Sequence, residues 1–196
     1  MELRAFIHEN LEKLQKLGMD VLSEEESLKE GILCMPANML EDMEPSQIFG
    51  MLLSSVGAVL ERSGRPAEMY VFDVELPDPS QMCTEFLQGI SGISGGELEI
   101  TDIEEAYSEE VLEAGTGTWP VRFLCNQTAY QYEANIHYDW FDTGLLAFMG
   151  RVVEEQNTGR RLYAFSDGFQ DCMIFYRTKE WAENFKELFH AELERL

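Results

Sequence analysis

Histidine is the side chain best suited to moving protons near neutral pH, so the search for chemistry begins there. The chain has only three histidines, and these are His8, His137 and His190. His137 lies in an alternating segment, where it shares one predicted strand face with Glu133, Asn135 and Asp139. An imidazole beside an orienting carboxylate can act as a general base. His137 and Asp139 are therefore candidate catalytic residues of a small hydrolase or isomerase with a site near residues 130–142, although a polar strand surface explains the same pattern.

Other patterns that could carry chemistry are incomplete. The glycine-rich run 89–96 could cradle a phosphate, but no Lys-Ser or Lys-Thr follows it. The acidic groups at 24–26 and 104–110 offer oxygen ligands without the spacing of a calcium loop. Turn and helix-cap duties account for the aspartates near 139–142 and 167–171, and no Gly-x-Ser-x-Gly motif occurs. The sequence therefore predicts no cofactor and no metal site, and it favours a non-catalytic role.

Charge gives the leading functional hypothesis. The chain has 37 acidic and 14 basic residues, a net charge of −23, and no Lys or Arg between Arg65 and Arg122. Nucleic acids and anionic membranes attract basic surfaces, so neither is an expected partner. A basic protein is the expected partner, and the chain would act as an inhibitor, an immunity-type protein or an adaptor. The candidate partner-binding residues are Glu104, Glu105, Glu109 and Glu110.

Cysteines and apolar runs indicate the compartment. The N-terminus has no continuous apolar segment typical of a signal peptide, and the longest mostly apolar run, 48–60, is too short to cross a bilayer. Four widely spaced cysteines lie in apolar stretches without zinc-type spacing. We expect them to be reduced and buried, and we predict a cytoplasmic protein.

The elements that must position these residues follow from periodicity. Helices are predicted over about 3–17, 46–62, 80–89, 142–155 and 178–193. Strands are predicted at 32–35, 69–75 and 97–103, with hairpins over 121–140 and 162–177. Loops are predicted at 89–96 and, as a mobile insertion, at 115–118. This order indicates one α+β domain over 1–196, with a mostly antiparallel sheet built from hairpins and covered on one face by helices. The pattern does not specify strand order or oligomeric state.

Overall fold

A computed structural model describes residues 3–23, 25–26, 43–62, 68–166 and 168–196. The strand predicted at 32–35 lies outside these residues, as does Cys34. The helices are α1 (Leu3–Lys16), α2 (Pro45–Arg62), α3 (Met82–Ile93), α4 (Glu109–Ala114), α5 (Gly144–Glu155) and α6 (Lys179–Phe189). The strands are β1 (Tyr70–Asp73), β2 (Ile100–Glu105), β3 (Thr116–Cys125), β4 (Thr128–His137), β5 (Arg160–Ser166), β6 (Asp171–Thr178) and β7 (Glu194–Arg195).

The strands form two antiparallel sheets. The four-stranded sheet has the order β1-β6-β5-β7, and the three-stranded sheet has the order β2-β3-β4. Both predicted hairpins are present as β3-β4 and β5-β6. The turn between β3 and β4 consists of Asn126 and Gln127, whose φ angles of 48° and 66° are those that a tight two-residue hairpin requires. The α+β class with antiparallel sheets built from hairpins is therefore confirmed.

The four-stranded sheet separates two apolar clusters. Along β6, Ile174 and Tyr176 point into one cluster, while Met173 and Phe175 point into the other. Helices α1, α2 and α6 contribute to the second cluster, and α3 and α5 lie between the two sheets. The three-stranded sheet thus has helices on one face, as predicted, whereas the four-stranded sheet has helices on both.

The glycine-rich loop predicted at 89–96 is wrong over its first half, because α3 continues to Ile93. Gly89 lies against the ring of Tyr70, and a Cβ atom at this position would come within 2.5 Å of that ring. Ile90 and Ile93 are buried on the same helix. Gly89 therefore allows α3 to approach β1 closely instead of ending the helix.

The loop predicted at 115–118 is also wrong. Gly115 ends α4 with a left-handed φ of 68°, and residues 116–118 pair with β4. The sequence pattern did not predict α4 itself, which has six residues. The last helix ends at Phe189, before the predicted 193, because His190 adopts a φ of 54°. Leu193 is nevertheless buried, since the chain returns through β7.

Among the described residues, none of the helices is both long enough and apolar enough to span a bilayer.

Candidate functional site

The structure separates the two candidate catalytic residues. His137 is the last residue of β4, faces Thr116 across the ladder and is exposed together with Glu133 and Asn135, as the alternation predicted. Asp139 does not continue that face, because Tyr138 adopts a left-handed φ of 56° and turns the chain. Within the described part of the chain, no hydrogen bond or ion pair joins His137 to Asp139.

The four candidate partner-binding glutamates have two different environments. Glu104, Glu109 and Glu110 are exposed. Glu105 is half-buried, and its carboxylate accepts hydrogen bonds from the Thr84 amide and hydroxyl, both at 2.8 Å, and from the Trp119 indole at 3.1 Å. Its carboxylate therefore caps the N-terminus of α3 and anchors a buried tryptophan, so its oxygens are used in contacts within the fold.

The described cysteines Cys83, Cys125 and Cys172 are buried. Burial raises the pKa of the Cys83 thiol far above its ordinary value, and the nearby Glu105 raises it further. Burial also raises the pKa of Cys125 to about 11. Both thiols stay protonated near neutral pH, so neither has the lowered pKa of a catalytic nucleophile.

A cavity of about 590 Å³ lies between β1 and α3. Its wall is formed by Met69, Tyr70, Val71, Phe72, Asp73, Leu76, Pro77, Met82, Glu85, Gln88, Gly89, Gly92, Ile93 and Phe141. The aromatic rings on this wall are packed together: the ring centroids of Tyr70 and Phe72 are 5.4 Å apart, and those of Phe72 and Phe141 are 4.6 Å apart. The cavity has the size of a ligand or side-chain pocket and a wall of packed aromatic rings.

A second, more open cavity of about 1050 Å³ adjoins the first and shares Asp73, Leu76 and Pro77 with it. Its remaining wall is formed by Glu75, Pro79, Leu112, Glu113, Gly115, Tyr138 and Asp139. We call the two cavities together the acidic groove. Its walls carry five carboxylates, which belong to Asp73, Glu75, Glu85, Glu113 and Asp139.

Two backbone segments are joined by hydrogen bonds in the middle of the acidic groove. The Phe141 amide donates to the Val74 carbonyl at 2.8 Å, and the Leu76 amide donates to the Asp139 carbonyl at 2.6 Å. These two hydrogen bonds pair residues 74–76 with residues 139–141. The turn at Tyr138 that removes Asp139 from the strand face therefore places it on the wall of the groove.

Among the described residues, no cation pairs with a carboxylate of the acidic groove. The described residues of its walls include no Lys, Arg or His, and within the described part of the chain none of its five acids takes part in an ion pair. Asp73 accepts a hydrogen bond from the Glu75 amide at 2.8 Å, and Glu75 accepts one from the Gln170 side chain. The remaining three carboxylates accept no hydrogen bond from the residues that the structure describes.

No cluster of three or more His, Cys, Asp or Glu side chains suited to a metal ion occurs among the described residues. Sequence reasoning missed the acidic groove because its aromatic wall comes from residues 70–72 and from Phe141, which are far apart in the chain. The signal that pointed toward it is the absence of Lys and Arg between Arg65 and Arg122.

Comparison of the chain with family models, with curated proteins and with solved structures finds no match.

Proposed function

We propose that the protein is a non-catalytic binding protein whose acidic groove receives a basic segment of a partner protein. The observation that carries the proposal is the set of five carboxylates on a concave wall without an ion pair or a basic neighbour among the described residues. Such charge strengthens the field inside a cleft and attracts cations. An inhibitor or an adaptor of basic proteins would use this field directly.

The aromatic wall suits the same partner. Lysine and arginine side chains carry apolar stems below their charged groups, and they bind well where apolar surface meets carboxylates. The rings of Phe72 and Phe141 supply that surface, and Asp73 and Glu85 lie on the wall of the same cavity. A cation lying over an aromatic face gains a further attraction. The groove thus offers the two features that recognise a basic side chain.

Cysteine burial and charge bear on the compartment and on the class of partner. The described cysteines Cys83, Cys125 and Cys172 are buried in apolar surroundings, which suits a protein of a reducing compartment, and we infer that the protein is cytoplasmic. The field that attracts a basic protein repels phosphate groups, so nucleic acids and anionic lipid surfaces are disfavoured partners.

The test begins with capture of a partner from the native cell extract at low salt, followed by titration of the purified partner with two variants. The groove variant is E85Q/E113Q/D139N. The comparison variant E104Q/E109Q/E110Q removes the same number of charges from exposed glutamates outside the groove walls. The sequence predicts these three glutamates as partner-binding residues, so a loss confined to this variant would support that prediction against the groove. We expect the groove variant to weaken binding at least about tenfold and the comparison variant to change it less than about threefold.

The two variants also give the outcomes that contradict the proposal. An equal loss in both variants would show that binding depends on net charge alone. An unchanged affinity in the groove variant would show that the partner binds elsewhere. High salt should weaken the wild-type complex, because screening reduces the attraction between exposed charges.

The catalytic hypothesis has less structural support. Asp139 lines the acidic groove, but His137 is not on its walls, and no hydrogen bond between them is present in the described residues. If a His137→Ala variant binds the partner with wild-type affinity, the imidazole does not contribute to the proposed binding function.

A further inference from the structure

The edges of the two sheets differ in how well they are protected against pairing with another chain. Strand β1 has four residues and β7 has two. Strand β2 has an irregular register between Thr101 and Glu104, where Asp102 adopts a φ of 51°. Short or bulged edges of this kind discourage pairing. Strand β4 has ten residues, all in regular register with β3, and it is the one long edge in the described part of the chain.

Part of the β4 edge is open. The Asn135 amide points away from β3 and donates to the Asp142 carboxylate at 2.9 Å. Because backbone groups alternate in direction along an antiparallel strand, the amides and carbonyls of Ala129, Gln131 and Glu133 also point outward. These three residues are exposed, and no described residue hydrogen bonds to their outward groups. Asp142 thus protects one end of the edge and leaves the other end available.

We propose that a second copy of the chain pairs with this edge, antiparallel and centred on Gln131. A strand edge can pair with itself across a two-fold axis, because each copy supplies the same donors and acceptors. The two three-stranded sheets would become one continuous six-stranded sheet. The interface lies on β4, and the acidic groove lies elsewhere on the molecule, so the inference does not depend on the proposed function.

The centre at Gln131 follows from the positions of the open groups. In this register Ala129 lies opposite Glu133 of the second copy, and Gln131 lies opposite itself. All three outward residues of each copy then find partners. A centre at position 130 or 132 leaves part of the open set unmatched, and a centre at Glu133 would place two carboxylates opposite each other.

The same register suits the inner face of the strand. Tyr130 and Tyr132 lie on the side covered by α5, where both rings pack near Phe148. In the dimer, Tyr130 of one copy lies opposite Tyr132 of the other, and both are half-buried in the single chain. Aromatic pairs across neighbouring strands stabilise a sheet.

The charge of the chain opposes this association, since each copy carries a net charge of −23. Salt screens repulsion between copies, so dimerisation should strengthen when NaCl rises from about 0.05 to about 0.5 M. Binding of a basic partner in the acidic groove should respond in the opposite direction. The sign of the salt effect therefore distinguishes the two interactions.

The test is sedimentation equilibrium of the full chain over a range of concentrations, with charge variants at Ala129. A dimer has twice the monomer mass of 22.5 kDa. A129K places a cation opposite Glu133 and should strengthen dimerisation about fivefold, whereas A129E places two carboxylates together and should weaken it about fivefold. The matched controls are T118K and T118E, at an exposed position of the central strand β3. They should differ from each other by less than about twofold.

A wild-type chain that stays monomeric up to about 1 mM, well above the dissociation constant of a stable dimer, would overturn the proposal. So would a dimer that A129K and A129E affect equally. Amide exchange gives an independent measurement, because the Gln131 amide is hydrogen bonded only in the dimer. Its exchange should slow as the concentration rises, while the exchange of an amide already bonded to β3, such as that of Ala134, should not.

Discussion

The acidic groove and the surface around β5, β7 and α6 use charge in opposite ways. The second surface has its own cavity, of about 430 Å³, lined by four cationic residues and two glutamates. Each of these cations lies within ion-pair distance of a carboxylate: Lys179–Glu183 at 3.4 Å, Lys186–Glu192 at 2.8 Å, Arg195–Glu154 at 2.9 Å and Arg161–Glu154 at 3.5 Å. The described carboxylates of the groove have no such partners. Side chains in ion pairs are already used in contacts within the chain. The described carboxylates on the groove wall have no such contacts and can therefore bind a partner.

A third environment extends this comparison to buried charge. Arg177 forms an ion pair with Glu68, and only 13% and 19% of their side-chain surfaces are exposed. The guanidinium also donates to the Glu68 carbonyl at 3.0 Å and lies 5.3 Å from the Trp181 ring centroid. Burial lowers the pKa of Arg177, and the Glu68 carboxylate opposes that effect. This pair connects the segment before β1 to the end of β6.

Arg177→Leu should have the largest effect on stability. The substitution leaves the Glu68 carboxylate buried without its cation, and breaking a buried pair in this way costs about 3 kcal/mol. Urea unfolding followed by tryptophan fluorescence would measure the loss. The double variant R177L/E68L removes both charges and should recover part of the stability. If the Arg177→Leu variant were as stable as the wild type, Glu68 would be well solvated, and the pair would contribute no more to stability than an exposed ion pair.

Glu105→Gln should have the next largest effect. A neutral amide accepts weaker hydrogen bonds from Thr84 and Trp119, and it no longer offers a charge to the N-terminus of α3. We expect a loss of about 2 kcal/mol in the free energy of unfolding. Glu104→Gln is the matched control, because its side chain is exposed one residue away, and its effect should stay within about 0.5 kcal/mol.

The opposite order of stability losses would contradict the distinction between acids that stabilise the fold, such as Glu105, and acids that are exposed, such as Glu104. If Glu104→Gln destabilised the fold and Glu105→Gln did not, the hydrogen bonds to the Glu105 carboxylate would contribute nothing to stability. Partner binding gives a second readout. Because the Glu105 carboxylate faces inward, its substitution should change affinity no more than Glu104→Gln does, provided that both variants are folded.

Local patterns in the sequence were enough to predict most elements of the fold. Apolar residues at helical spacing located α1, α2, α5 and α6, and alternation located both hairpins, because these signals come from burial of one face. The start of α6 was predictable as well: the predicted helix begins at Thr178, a residue type suited to capping, and its hydroxyl accepts a hydrogen bond from the Trp181 amide. The strand order and the second sheet were not predictable, since pairing between distant strands leaves no local pattern.

The candidate site depended on features that act over longer distances. Glycine at position 89 indicated a helix end, but its role is to admit the ring of Tyr70 from another strand. Alternation placed Asp139 beside His137, but the positive φ of Tyr138, an uncommon conformation for a bulky residue, turned it into the groove wall. Composition did indicate an acidic region without basic residues. It could not show which carboxylates are used as internal hydrogen-bond acceptors, as Glu105 is.

Lys179→Gln should have the smallest effect, although Lys179 forms an ion pair with Glu183 at 3.4 Å. Both side chains are largely exposed, at 83% and 61%, so water screens the attraction. The pair also has the less favourable order on a helix, because Lys179 lies at the N-terminus of α6, where the helix dipole disfavours a cation. These effects nearly cancel, and we expect a change within about 0.5 kcal/mol in the unfolding free energy.

Thr178→Ala in the same turn is the matched control and should cost about 1 kcal/mol, because it removes the hydroxyl that accepts from the Trp181 amide. A loss at Lys179 as large as the loss at Thr178 would mean that the exposed ion pairs around α6 stabilise the fold. The surface near α6 would then gain stability from its ion pairs even at exposed positions, and in this it would differ from the acidic groove. A negligible loss would show that the exposed cations near α6 mainly offset the acidity of the chain, and that stability depends on caps and buried contacts.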